Sequence, residues 1–256
     1  RPKQLSHEPT THRMQWVRES SGFSLVVAPL HGRDNKGGAG ENGSKIYAYE
    51  AGDDAYASSW TLRLLDDRFH ETHNFDVIPN DSNRAESLVL AGAEGLSFSE
   101  LSDGGEHALP IDGLNNGAGE IRVGMLNSRR EASMIAAIEP MHGNNVVLYQ
   151  RQGKSWSRAV LDDSLNQGHA LAIADFLENG SLQIVAGWRN RDARKRVGIR
   201  LYQAQPNGEW NTYSIDDDQM ACEDIKAADL DGDGDLDLIA SGRSTKNVII
   251  YWNRLR

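Results

Sequence analysis

The chain has 256 residues, of which 39% are hydrophobic and 25% charged, enough apolar material for a large core. Its formal net charge is −10 and it carries no long basic run, so nucleic acid and anionic membrane surfaces are poor partners. No apolar stretch approaches membrane-spanning length, and the lone Cys222 cannot form an internal disulfide.

Taken in order, short apolar runs recur with one grammar: a polar opening, two apolar strands, an aromatic third strand and a fourth. The first copy opens at His12 and continues through Ser24–Ala28, Lys45–Tyr49 and Trp60–Leu65. The second opens at His73 and proceeds to Ser87–Ala91. The third opens at Glu120, followed by Ala132–Ala137, Val146–Tyr149 and Trp156–Val160. The fourth opens at His169, followed by Gln183–Gly187, Ile199–Tyr202 and Trp210–Ile215. The fifth opens at Glu223, continues at Leu236–Ala240 and ends at Val248–Trp252. Successive openings are 61, 47, 49 and 54 residues apart. A period of about fifty with four strands per unit is the signature of propeller blades, and no segment sustains helical periodicity. The expectation is an all-β, single-domain five-bladed propeller over residues 1–256, its fifth blade completed by Pro2–Ser6. The alternative is part of a seven-bladed ring.

The link from first to second strand in the fifth copy is acidic: Asp229, Asp231, Asp233 and Asp237, with Gly232 and Gly234 between. Hard cations take six to eight oxygens, which a tight Asp/Gly turn supplies. An EF-hand would run on between helices to a Glu at its twelfth position, whereas Leu236–Ala240 reads as a strand. The expected ligand is Ca²⁺, and the bland alternative is a soluble turn holding no metal. The stretch matches every position of the D-x-D-G-D-G-x-x-D hairpin and so resembles FG-GAP/VCBS-type β-propeller repeats. In the fourth copy only Asp175 survives, with Leu177, Asn179 and Gln183 in the other places.

Antiparallel strands send alternate loops to opposite ends of a blade. Strand openings and second-to-third-strand loops therefore share one face, away from the acidic hairpin. That face collects His12, His73, Glu120, His169 and Glu223, joined by His31, Arg33, Glu94, Glu139, His142, Arg189 and Arg243. Each alone reads as an ordinary surface residue; together they form a funnel that no core requires. Imidazoles and carboxylates converging on an axis suit Zn²⁺ or another divalent transition metal, with His73, Glu120, His142 and His169 as ligands. His12, His31 and Glu223 remain for proton transfer, and Arg33, Glu94, Arg189 and Arg243 for sugar hydroxyls or a carboxylate.

Several phrases resemble the propeller domain of the aldos-2-ulose dehydratase family: Thr11–Trp16, Val27–Arg33, His73–Asp76, Gly119–Arg122, Ile138–Asn144, Gly168–Ala172 and Met220–Asp224. The fungal members carry cupin domains and seven blades, whereas these 256 residues contain no cupin segment. The resemblance implies a metal-dependent carbohydrate lyase that dehydrates a 2-keto sugar such as 1,5-anhydrofructose by β-elimination. Two alternatives stay open: a polysaccharide lyase acting on a uronic acid glycoside, and a non-catalytic calcium-stabilised propeller that binds a glycan or protein. The expected partner is a small sugar or oligosaccharide, and the expected compartment is secreted or periplasmic.

Overall fold

Runs rich in β-branched and aromatic residues, punctuated by Gly, Asn and Asp, dictate strands and tight turns rather than helices. The computed structural model describes residues 4–20, 22–33, 35, 40–51, 60–79, 85–101, 117–125, 132–153 and 155–255. Among them are eighteen strands and no helix, and the fold is a five-bladed β-propeller. Every strand pairing is antiparallel between sequence neighbours. The described residues fall into two compact units, Arg1–Ala118 and Gly119–Arg256.

Unit 1 holds two sheets. The first is ordered β1 (Thr11–Glu19), β2 (Gly22–Pro29), β3 (Ile46–Glu50) and β4 (Thr61–Asp66). The second is β5 (Thr72–Ile78), β6 (Ser87–Gly92) and β7 (Gly95–Glu100). Val17, Val26 and Ala48 of the first sheet meet Phe75, Leu88 and Leu90 of the second. The other face of β1 leaves Met14 and Trp16 more than half exposed. Of the expected closing strand, Pro2 and Lys3 lie outside the described residues, and Gln4–Ser6 form no strand.

Unit 2 holds three sheets. The third is β8 (Ile121–Gly124), β9 (Met134–Glu139), β10 (Asn145–Gln152) and β11 (Ser155–Asp162). The fourth is β12 (Gly168–Ala174), β13 (Gln183–Trp188), β14 (Gly198–Ala204) and β15 (Trp210–Asp217). The fifth is β16 (Cys222–Ala228), β17 (Asp237–Gly242) and β18 (Val248–Tyr251). β9 and β13 are buried along their whole length, which explains their continuous apolar runs. Ile138, Leu148, Leu171 and Ile184 fill one core and Val185, Ile199, Ile225 and Ala240 another. Each of these valine, leucine and isoleucine side chains contributes roughly 1.5–3 kcal/mol on burial.

The two cores leave no slack where β13 passes β16. A Cβ built on Gly187 would lie 2.6 Å from both the Cβ and Sγ of Cys222, so only glycine allows that approach. A polar clamp ties β11 to β14. The Arg200 guanidinium donates to Asp162 Oδ2 at 2.7 Å while lying 4.4 Å above the Trp188 ring, and the Tyr202 hydroxyl donates to the same oxygen.

Candidate functional site

The openings of the first strands share one backbone irregularity. Pairing slips between Thr11 and Arg13, Thr72 and Asn74, Gly168 and Ala170, and Cys222 and Asp224. The skipped residues are His12, His73, His169 and Glu223. In the third sheet Gly119 donates to the Ile138 carbonyl while the Ile138 N–H donates to Glu120, so two residues again oppose one. A β-bulge frees one residue from the ladder and re-aims its side chain. All five polar openings are thus bulge residues, and their recurrence has a structural cause.

In unit 2 the bulges of successive sheets bring their side chains together. His169 is 4% exposed, and its Nδ1 lies 2.7 Å from the main-chain oxygen of Glu223. With Nδ1 donating there, Nε2 carries the lone pair and lies 3.8 Å from Glu223 Oε1. Burial pushes the His169 pKa below its ordinary value despite the nearby Glu120 and Glu223 carboxylates, so the ring is neutral at pH 7. The turn after β9 carries His142, whose ring stacks on His169 at 5.0 Å and 13°. His142 holds a left-handed φ of 53°, a conformation that costs a non-glycine residue roughly 1–2 kcal/mol.

Glu223 is gripped by arginine. Nη1 of Arg189 donates to both carboxylate oxygens at 3.1 Å, and Arg189 Nε donates to Gln167 Oε1 at 2.9 Å. Nη1 of Arg243 stands 3.8 Å from Glu223 Oε1. Burial alone would raise the Glu223 pKa, yet it lies below its ordinary value. In the acid range where Glu223 titrates, the charge on His169 lowers it most, and Arg189 and Arg243 add to that. Glu120, 1% exposed, has Arg122 Nη2 3.6 Å from its carboxylate.

Unit 1 repeats the pattern with different chemistry. The exposed His12 ring lies 4.8 Å from that of His73, which is buried. His31 Nδ1 stands 3.9 Å from Glu71, a residue the sequence reading passed over. Glu94 accepts from both the main chain and the ring of His70, and Arg33 ties back the N-terminal segment through Glu8 and the His7 carbonyl. Both residues expected to bind substrate therefore already have protein partners. Glu139, expected at the funnel, is wholly buried and accepts from Tyr149 and Arg158, so it is an internal clamp.

At the opposite end of β16 and β17, Asp229, Asp231 and Asp233 bring carboxylate oxygens within 4.8 Å of one another. Gly232 and Gly234 adopt φ of 81° and 95° to make the turn. Asp237 is 1% exposed and accepts the N–H groups of Leu230 and Asn253. Among the described residues, two groupings could thus hold a metal: these carboxylates, and the pair His142 and His169, with ring nitrogens within 4.8 Å of each other.

No family model and no curated protein matches this chain. Among solved structures it is similar to a 6-phosphogluconolactonase-like protein of Bacteroides uniformis, with TM-score 0.55 and 10% identity over 89% of this chain. The chain spans 63% of that protein's length. It is also similar to Sqt1 of Saccharomyces cerevisiae, with TM-score 0.50 and 10% identity, covering 93% of this chain and 71% of Sqt1. At such identity the likeness speaks to the fold alone.

Chemically, unit 2 presents a neutral imidazole with a directed lone pair, a stacked second imidazole, and an ionised carboxylate between two guanidiniums. That set can bind a cation, accept a proton and neutralise an anionic group. Gln167, which fixes Arg189, went unnoticed in the sequence; its only signal is its place before the Gly168–His169 opening.

Proposed function

We propose that the protein is a carbohydrate lyase that eliminates an oxygen substituent β to a sugar carbonyl or carboxyl group, working at His142, His169 and Glu223. The observation that carries this reading is the His169–Glu223 pair, with the imidazole held neutral and oriented and the carboxylate held ionised. The donor set fits a divalent transition metal, because a ligating imidazole must be neutral and fixed through its other nitrogen. His142 and His169 would hold that ion, and when bound it would acidify the C–H next to the carbonyl.

The chain's own groups then supply the rest. Glu223, with a one-third-exposed side chain, takes the proton from that carbon. The C–H electron pair becomes the new C=C bond as the C–O bond on the next carbon breaks. The departing oxygen recovers a proton from solvent, so the products are an unsaturated sugar and water or a free chain end. Arg189 keeps the carboxylate ionised and fixed in direction, and Arg243 meets negative charge developing on the sugar.

The experiment is incubation of Zn²⁺-supplemented protein with 1,5-anhydrofructose and, separately, with polygalacturonate. Ultraviolet absorbance of the conjugated product should rise with one of them, and Glu223→Gln should lower kcat at least a hundredfold. Silence with both substrates, or full activity in Glu223→Gln, would remove the lyase reading.

A further inference from the structure

The segment after β13 carries Arg189, Arg191, Arg194, Lys195 and Arg196 on a chain whose net charge is −10. Its backbone is pinned throughout. Asp192, only 8% exposed, accepts from the N–H groups of Arg194 and Arg196 through Oδ1, at 2.9 and 3.0 Å. The Asp192 N–H donates to the Arg196 carbonyl, the Lys195 N–H returns to Asp192, and Trp188 Nε1 donates to the Arg196 carbonyl at 2.8 Å. At its base Asn190 N–H reaches the Asn166 carbonyl, while Asn166 Nδ2 donates to Arg191.

The charges on this turn are sorted. Arg191 pairs with Asp218, and Arg196 with Asp217. Arg194 and Lys195, exposed at the apex, face no acidic partner among the described residues. Lys195 holds a left-handed φ of 62° there. Cations that served only solubility would need no such frame, since a flexible loop would do as well. A fixed frame removes the ordering cost of engaging an extended anion. The same segment begins with Arg189 on Glu223, and Arg243, 63% exposed, stands at a loose 3.8 Å from that carboxylate, its remaining side-chain donors meeting no acidic partner among the described residues and so open to a planar oxyanion.

Resting on the lyase reading, we infer that this turn and Arg243 receive a uronate-bearing polysaccharide, its carboxylates running from Arg194 and Lys195 toward Arg243. The polymer is the substrate class, and the acidic bulk of the protein repels it everywhere else. Recognition is ionic at the apex and forked at Arg243, so it weakens as salt rises.

The test is calorimetric titration with a galacturonate hexamer and with the same hexamer fully methyl-esterified, on the wild type and on Arg194→Glu/Lys195→Glu. The acid form should bind at least tenfold more tightly than its ester, and the double variant should lose at least that factor with an unchanged circular dichroism spectrum. Equal binding of acid and ester, or wild-type affinity in the variant, would overturn the inference. So would displacement of the hexamer by a DNA duplex at equal charge concentration, since the surface would then be a general polyanion site. Binding reads no turnover: a hexamer that binds as described, in a protein that is silent with both lyase substrates, removes the lyase reading and leaves this surface standing.

Discussion

His169 and Glu223 are the same residue of the same bulge in consecutive sheets, and the imidazole Nδ1 of the first sits 2.7 Å from the main-chain oxygen of the second. The contact couples a side chain to a backbone, so the direction of the His169 Nδ1 is set by the bulge of the next sheet while the His142 ring packs against its face. Substitution at Glu223 therefore leaves the His169 tautomer intact while removing the carboxylate.

That separation gives a test at Arg189. With Arg189→Met the burial that pushes the Glu223 pKa up loses one of the groups opposing it, the Nη1 that donates to both carboxylate oxygens, while His169 and Arg243 remain. A depressed carboxylate pKa rises when its cation is removed, so the acid limb of the activity profile should move to higher pH. Carbon NMR titration of the glutamate side chains checks the same shift without any substrate. An unmoved Glu223 resonance would mean that Arg189 has no hold on it.

The blades were legible because their openings recur near a fifty-residue period and their apolar runs are continuous where both faces are covered, as in Met134–Ile138. The polar openings were legible as a set, but not as bulges. Pairing slip depends on hydrogen bonds between strands, which no run of residue types reveals. Glu139 shows the limit from the other side: a loop-edge carboxylate reads as solvated until Tyr149 and Arg158 are seen to enclose it. The basic turn at Arg191–Arg196 escaped notice because Asp192 breaks the run, and that aspartate is the residue that shapes it.

Asp162 makes acid stability a second readout. Burial acts to raise its pKa, but hydrogen bonds from Ser164, Tyr202 and Arg200 outweigh it and hold the pKa below the ordinary 3.8. A carboxylate depressed in the folded state contributes stability that is complete above its unfolded value and is lost as pH falls through the folded one. Asp162→Asn should therefore melt well below the wild type at pH 7, by roughly 1–3 kcal/mol for a broken buried clamp. The gap between the two melting curves should narrow as pH falls below 3.8 and through the lower folded pKa. A gap that stays constant down to pH 2 would count against the ionised clamp.

Gly187 tests the packing of the fourth sheet on the fifth. Any added Cβ meets Cys222 at 2.6 Å, and neither strand can shift without disturbing the Ala186 and Ile225 cores. Gly187→Ala should lower stability by roughly 1–3 kcal/mol, the usual cost of overpacking. Urea unfolding measures it. The expected signature is a lower midpoint at an unchanged slope, whereas a change in slope would point to loss of two-state unfolding.

The acidic hairpin can be judged against its own paralogue. Register equates Ala174–Gln183 with Ala228–Asp237, so Gln183 occupies the place of Asp237. In the fourth sheet the Gln183 amide donates to Ser181 at 2.7 Å and accepts from Leu177, closing the turn with donors of its own. A carboxylate at position 237 cannot donate, and Asp229, Asp231 and Asp233 converge with, among the described residues, Arg254 Nη1 3.5 Å from Asp231 to offset them. A bound cation would supply the positive charge in the fifth sheet where an amide closes the turn in the fourth. Ca²⁺ at a hundredfold excess over its dissociation constant stabilises by about 2.7 kcal/mol, roughly 5–10 °C in Tm for a chain of this size. Asp231→Asn/Asp233→Asn should abolish that rise and, in chelator, melt no lower than the wild type because it removes repulsion. Asp175→Asn, in the fourth sheet, should leave the calcium response intact. Identical wild-type melting in chelator and in millimolar Ca²⁺ would show that the main-chain N–H groups already bonded to Asp229 and Asp237 suffice to hold the turn.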